Sequence, residues 1–315
     1  MITNSDLDTR LNQGEIILLD GGTGTELERL GASMDYEAWC AMALETHPQL
    51  VKEVHRSYIE AGADVITVNS YACTKRGLQN AELEDKFEDW NRLAVQQAKE
   101  IVAECKPERP IYLAGSVSTY GCTPRFSNSG KVENDQLKLW FRDQAVLLVE
   151  SGIDLLLLET LAADSTTILI AIEAVAEFDL PVWLAVSCAL DRRSGELSLG
   201  VAESPESHRQ VDHVHVYEPF PIAMERVIAQ DGFSALLMMH SEIDVTKAAV
   251  EILHRQYTGP VGAYPNAGYW QRPEWVFVDQ IPPNDYVNKA STWVAEGAQI
   301  IGGCCGIGPE HIRAL

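Results

Sequence analysis

A β-branched or leucine-rich run recurs eight times along the chain, and between one run and the next lies a stretch with helical periodicity. The runs are Ile16–Gly22, Ala63–Ser70, Pro110–Val117, Ile153–Thr160, Pro181–Cys188, Ser234–Ser241, Gly259–Asn266 and Ala298–Cys305. Amphipathic helices are expected between them, among others over Pro48–Ala61, Asp135–Ser151 and Ala163–Phe178. Strands apolar on both faces and alternating with helices make a parallel sheet covered on each side. Eight such units in 315 residues fit a closed (β/α)8 TIM barrel, an α/β fold, better than the alternative of an open, doubly wound sheet. No proline- or serine-rich linker divides the chain, so residues 1–315 are expected to form one domain. One irregular stretch, at about 191–219, is expected to be a long insertion loop on the active-site side.

In a (β/α)8 barrel the chemistry collects where strands end and loops begin. The residues at those ends are Asp20 with Gly21 and Gly22, then Asn69, Ser116, Glu159, Ser187, His240 with Ser241, Asn266, and Cys304 with Cys305. The segment DGGTGTE, Asp20–Glu26, reads either as a turn whose glycine N–H groups approach an anion such as a carboxylate, or as a tight strand-to-helix turn without a ligand. It lacks the glycine spacing of a dinucleotide fingerprint. Glu159 follows four leucines, so its carboxylate points from an apolar strand into the barrel mouth, as a functional group or as half of a structural ion pair.

The sharpest motif is GGCCG, Gly302–Gly306. Neighbouring residues on a regular strand face opposite ways, so two adjacent cysteines grip one ion only if the backbone leaves the strand there, as flanking glycines allow. Thiolates suit zinc, and a catalytic zinc takes about three protein ligands and keeps a position open for substrate. Two small buried side chains or a vicinal disulfide are the other readings of the pair.

Composition narrows the partners. With 46 acidic residues against 24 basic ones and a net charge of -22, the chain would repel nucleic-acid phosphates and anionic membranes. No apolar run approaches the roughly 18 to 20 residues needed to span a bilayer, and the N-terminus lacks a basic segment followed by an apolar core. The cytoplasm is the expected location. Seven cysteines are too few and too scattered for a disulfide framework, so reduced thiols are expected.

Taken together, these residues resemble the homocysteine S-methyltransferase family, which includes S-methylmethionine-dependent and betaine-dependent enzymes. The resemblance runs almost end to end. It is carried by ILLDGGTGTELERLG (17–31), by Trp39 and ALETHPQLVKEVHRSYIEAGADVITVNSY (43–71), and by LAGSVSTYG (113–121). It continues through LLLLETLAA (155–163), PVWLAVSC (181–188), YPNAG (264–268) and GAQIIGGCCGIGPEHIRAL (297–315). The resemblance implies a homocysteine-binding (β/α)8 barrel and a zinc ion held by three cysteines. Two of these carry over as Cys304 and Cys305. Where the family has its third, preceded by asparagine, this chain has His240 and Ser241.

The resemblance also places Asp20 and Glu159, the expected catalytic residues, at the amino group of the amino-acid substrate. It places backbone N–H groups of Gly22, Thr23, Gly24 and Thr25 at its carboxylate, and Trp39, Asn69, Tyr71, Ser116 and Asn266 near the pocket. The implied partners are a small amino-acid thiol and an onium methyl donor, and a homo-oligomer would be compatible with such a barrel. Methyl transfer from S-methylmethionine to homocysteine, giving methionine, is the favoured reaction, because the chain lacks the C-terminal extension of the betaine-dependent branch. The onium methyl could be cradled by Trp39, Tyr71, Tyr120, Tyr269 and Trp270.

Three accounts of the missing cysteine are open. His240 is the favoured third zinc ligand; His208, His213 or His215 of the insertion could complete the site instead; or zinc binding has been lost. In the last case the barrel would act on another acceptor, as a demethylase or methyltransferase, or bind an amino acid without turning it over.

Overall fold

Four consecutive leucines, Leu155–Leu158, are fully buried although their side chains alternate in direction, because one face of the strand meets the barrel interior and the other meets helices. Most residues of the eight core strands are buried in the same way in the computed structural model, which describes residues 4–122, 132–191, 193–202, 214–271, 273–278 and 280–315. In chain order they are β1 (Ile17–Leu18), β2 (Val65–Thr67), β3 (Tyr112–Ser118) and β4 (Leu155–Thr160), followed by β5 (Val182–Val186), β6 (Ala235–Glu242), β7 (Val261–Asn266) and β8 (Ala298–Ile301). All pairings are parallel and run 1-8-7-6-5-4-3-2. A parallel bridge between Leu19 and Val65 closes the ring, with Asp20 N–H donating to Val65 O at 3.0 Å. The chain is therefore the closed barrel and not the open sheet.

Helices form where the sequence periodicity and caps call for them. The helix Pro48–Ala61 has proline in its first turn and ends on Gly62 in the left-handed conformation. The expected helix at 163–178 is shorter, Ser165–Val175, because Asp164 is its N-cap and accepts from Thr167 N–H at 2.8 Å. No helix among the described residues is long and apolar enough to cross a membrane.

The stretch at about 191–219 contains more structure than a loop. Strands Leu197–Ala202 and Val214–Pro219 join Cys188–Leu190 in an antiparallel three-stranded sheet attached to the end of β5. The first of these, LSLGVA, is buried from Ser198 to Ala202, and short apolar stretches in both account for them. His208 and His213 lie outside the described residues, and of His215 only the backbone, in the third of these strands, is described.

Candidate active site

The C-terminal ends of the core strands open into a pocket of about 820 Å3, counting its mouth. Its floor is built from the two ends of the chain. After β8 the backbone leaves the strand: Cys304 N–H donates to Pro265 O at 2.8 Å, Ala267 N–H donates to Cys305 O at 2.9 Å, and Gly306 N–H donates to Thr25 Oγ1 at 3.1 Å. Gly306 has a φ of +78°, and a Cβ there would stand 1.9 Å from Ala267 O, so only glycine fits. This departure turns both cysteines toward the same region, their sulfurs 3.9 Å apart.

His240 completes a cluster with them. Its Nδ1 lies 3.3 Å from Cys304 Sγ, and one ligand atom from each of His240, Cys304 and Cys305 lies within 4.8 Å of the others. For zinc bonds of about 2.3 Å to sulfur and about 2.0 to 2.1 Å to nitrogen, a tetrahedron has edges of about 3.8 Å between sulfurs and about 3.6 Å between sulfur and nitrogen. The observed separations fit such an ion, and two thiols with one imidazole are a suitable donor set.

The backbone explains why His240 and not Ser241 faces the cysteines. Opposite Tyr264 and Asn266 of β7, the paired residues of β6 are Met239 and Glu242, so β6 carries an extra residue, and His240 has a φ of +37°. A bulge of this kind re-aims a side chain. Met239 and His240 both line the pocket, whereas Ser241 is buried behind it, donating to Met239 O at 2.7 Å and accepting from Cys188 N–H at 2.9 Å. A contact between sulfurs, and then the His240 ring, holds the Cys304 thiol well below its ordinary range, while its partner Cys305 is pushed up.

Two carboxylates share the pocket. Asp20, at the end of β1, accepts from Thr67 N–H at 2.7 Å and from Thr67 Oγ1 at 2.9 Å. Burial pushes its carboxyl well above the usual range. Glu159, on β4, accepts from Ser116 Oγ and from Tyr264 OH, the latter at 3.1 Å. Burial raises its carboxyl to about 7 against the opposing pull of Ser116.

The outer wall is aromatic. Trp39 meets Trp270 edge to face at 5.5 Å and Tyr71 at 6.1 Å, and Tyr71 packs on Tyr120 at 5.6 Å. A Cβ on Gly24 would come within 2.5 Å of the Trp39 ring, so the glycine of the opening turn makes room for the indole. Among the described residues no lysine or arginine lines the pocket.

Of the residues expected from sequence, the structure brings Asp20, Gly22, Thr23, Gly24, Trp39, Asn69, Tyr71, Glu159, His240, Cys304 and Cys305 to the pocket wall. Three stand behind it. Thr25 ties Gly22 O to Gly306 N–H, Ser116 backs Glu159, and Asn266 is buried with its amide directed at Gly268 O. Tyr269 does not line the pocket.

Sequence reasoning missed Thr67, Tyr264 and Trp275. Thr67 ends β2 two residues before Asn69, and carrying the period-two count back from Asn69 would have found it. Tyr264 opens the YPN run. Trp275 carries no local signal: it belongs to a hairpin, Tyr269–Gln271 with Glu274–Val276, that folds over the mouth.

Comparison with known proteins gives a consistent result. The family sequence model described as homocysteine S-methyltransferase matches residues 17–315. A protein named homocysteine S-methyltransferase 1 from Zea mays is 28% identical, covering 96% of this chain and 94% of that one. A selenocysteine Se-methyltransferase from Brassica oleracea var. italica is 30% identical over 96% of this chain and 88% of its own. Among solved structures, the metallated form of the homocysteine methyltransferase MmuM from Escherichia coli superposes with a TM-score of 0.74 at 24% identity, covering 98% of each chain.

Proposed function

Since the chain belongs to the homocysteine S-methyltransferase family, we propose that it moves a methyl group from a small onium donor, S-methylmethionine in the favoured case, to the thiol of homocysteine, giving methionine. The observation that carries this reading is the meeting of the His240, Cys304 and Cys305 cluster with Asp20 and Glu159 in one aromatic-walled pocket. Zinc would be held by Cys304, Cys305 and His240, and would supply deprotonation and orientation of the acceptor thiol.

The residues of the chain do the rest. Asp20 and Glu159 take the α-ammonium group of the acceptor, each oriented by its own donors. Among the described residues no arginine stands on the wall, and the acceptor's carboxylate is assigned to the neutral N–H groups of the Gly22 to Thr25 turn. The faces of Trp39, Tyr71, Tyr120 and Trp270 attract the positive charge of the donor. In the transfer, the acceptor sulfur, already without its proton, forms a bond to the methyl carbon as the sulfonium carbon–sulfur bond breaks. The donor leaves as a neutral thioether, which needs no general acid, so positioning supplies most of the acceleration. The name of the Brassica relative makes a selenol the second acceptor to assay. Seven free cysteines favour the reducing cytoplasm.

The test is metal analysis of protein purified without chelator, with an assay for methionine formed from homocysteine and S-methylmethionine. Near-stoichiometric zinc that disappears in Cys304→Ser, together with turnover, supports the reading. Absence of zinc after supplementation, with no methionine formed, overturns it.

A further inference from the structure

The imidazole of His240 rests against one side chain that no motif marks. Trp275 meets it edge to face, ring centroids 5.6 Å apart at an interplanar angle of 73°. The indole is itself fixed from several directions. Its Nε1–H donates to Ala267 O at 2.9 Å, and its backbone N–H donates to both carboxylate oxygens of Glu28, at 2.9 and 3.0 Å. It is wedged against two glycines: a Cβ on Gly268 would come within 2.6 Å of Nε1, and one on Gly306 within 3.1 Å. Gly306 closes the GGCCG motif, and Ala267 N–H is bound to Cys305 O. The indole is thus locked to the loop that carries the two cysteines while it touches the histidine that faces them.

This matters because His240 is carried on a bulge with a left-handed backbone, not on regular strand. A regular strand sets a side chain's direction through its pleat, whereas at a bulge the direction depends on what the ring packs against. Metal-ligating histidines depend on such outer contacts for ring orientation.

We infer that Trp275 is a positioning residue for His240: locked to the cysteine loop, it helps to hold the imidazole with Nδ1 turned toward Cys304, and so helps histidine to take a ligand position in this chain. The inference rests on the reading of His240 as a ligand. It also gives the hairpin over the mouth a role, since that hairpin is tied down through Glu28 and brings Trp275 with it.

A double-mutant cycle tests it, with zinc affinity measured by competition against a chromophoric chelator and ligand geometry read from the absorption of the cobalt(II)-substituted protein. Trp275→Leu is expected to lose about 10- to 100-fold in zinc affinity, the range seen when outer-shell partners of metal ligands are removed, and to shift the cobalt spectrum. Trp275→Phe, which keeps a ring against the imidazole, is expected to lose less. In a His240→Ala background, Trp275→Leu should cost nothing further. Losses that add across the two sites, or a Trp275→Leu protein with wild-type affinity and spectrum, overturn the inference and leave His240 as a ligand. If His240→Ala alone binds zinc as tightly as wild type, the reading of the metal site itself fails. Should Trp275→Leu not fold, the same cycle run with Trp275→Phe decides by the same criterion, additive losses overturning and non-additive losses supporting.

Discussion

His240 and Cys304 meet across the barrel mouth, Nδ1 3.3 Å from Sγ, although the residue after the histidine points the opposite way into the wall. Adjacent residues on one strand have thereby divided two tasks, one facing the cysteines and the other bracing β6 against Cys188.

That division predicts opposite outcomes for two neighbouring substitutions. His240→Ala should abolish tight zinc binding with little change in the thermal stability of the metal-free protein. Ser241→Ala should keep zinc but lose about 1 to 3 kcal/mol of stability, because Cys188 N–H is left buried without its acceptor. Metal content and chemical denaturation measured on both variants check this, and zinc loss in Ser241→Ala alone would reverse the assignment.

Glu159 predicts a pH dependence of amino-acid binding. Its carboxyl is raised to about 7, so below that pH it is mostly protonated and attracts an ammonium group poorly. Affinity for methionine, which has no thiol to titrate, should fall as pH drops through about 7. The inflection should vanish in Glu159→Gln. In Tyr264→Phe it should move upward, because the lost hydroxyl stabilised the charged form. Calorimetric titration across pH 5.5 to 8.5, a span of about 1.5 units on either side of a pKa near 7, shows it.

Thr67→Val keeps the shape of the side chain and removes the hydroxyl that donates to Asp20. A hydrogen bond to a charged group is worth about 1.5 to 3 kcal/mol; since this one exists before substrate arrives, only its share in orienting Asp20 bears on binding, and KM for the thiol acceptor should rise, by at most about 100-fold, with zinc content unchanged. An unchanged KM would mean that Asp20 does not touch the acceptor.

Stability below neutrality should depend on a residue far from the chemistry. His55, on the helix Pro48–Ala61, is fully buried with both ring nitrogens unpartnered, and burial lowers its pKa from 6.5 to about 4. Above pH 6.5 the ring is neutral in both folded and unfolded chains, and its contribution is fully present. As pH falls toward 4 the unfolded chain takes up a proton that the folded one refuses, and about 3 kcal/mol is lost. Urea midpoints at pH 7 and 4.5 should differ by less in His55→Leu than in the wild type.

The barrel was legible because burial of both strand faces leaves apolar runs such as Leu155–Leu158 that no surface element would carry. The cysteine pair was legible because its glycines announce a backbone that must leave the strand. The orientation of His240 was not: it follows from an extra residue in the pairing of β6 with β7, a long-range property that a one-strand pattern does not contain. Trp275 was hidden for the same reason, since its neighbours in space, Glu28 and His240, are distant in sequence. The strands of the insertion form a separate antiparallel sheet outside the ring, so the repeat of eight apolar runs does not signal them.

Strand β8 lies between β7 and β1, and its Ile300 pairs with Ile17. During synthesis the first strand of the ring must therefore wait for the last, and Asp20 has no cysteine loop to face until residues 302–306 have emerged. A nascent chain holding the first seven strands has an unclosed seam and no reactive centre. Newly made protein thus passes through a stage in which strand edges are bare and the enzyme is silent, and both conditions end together when the final segment docks.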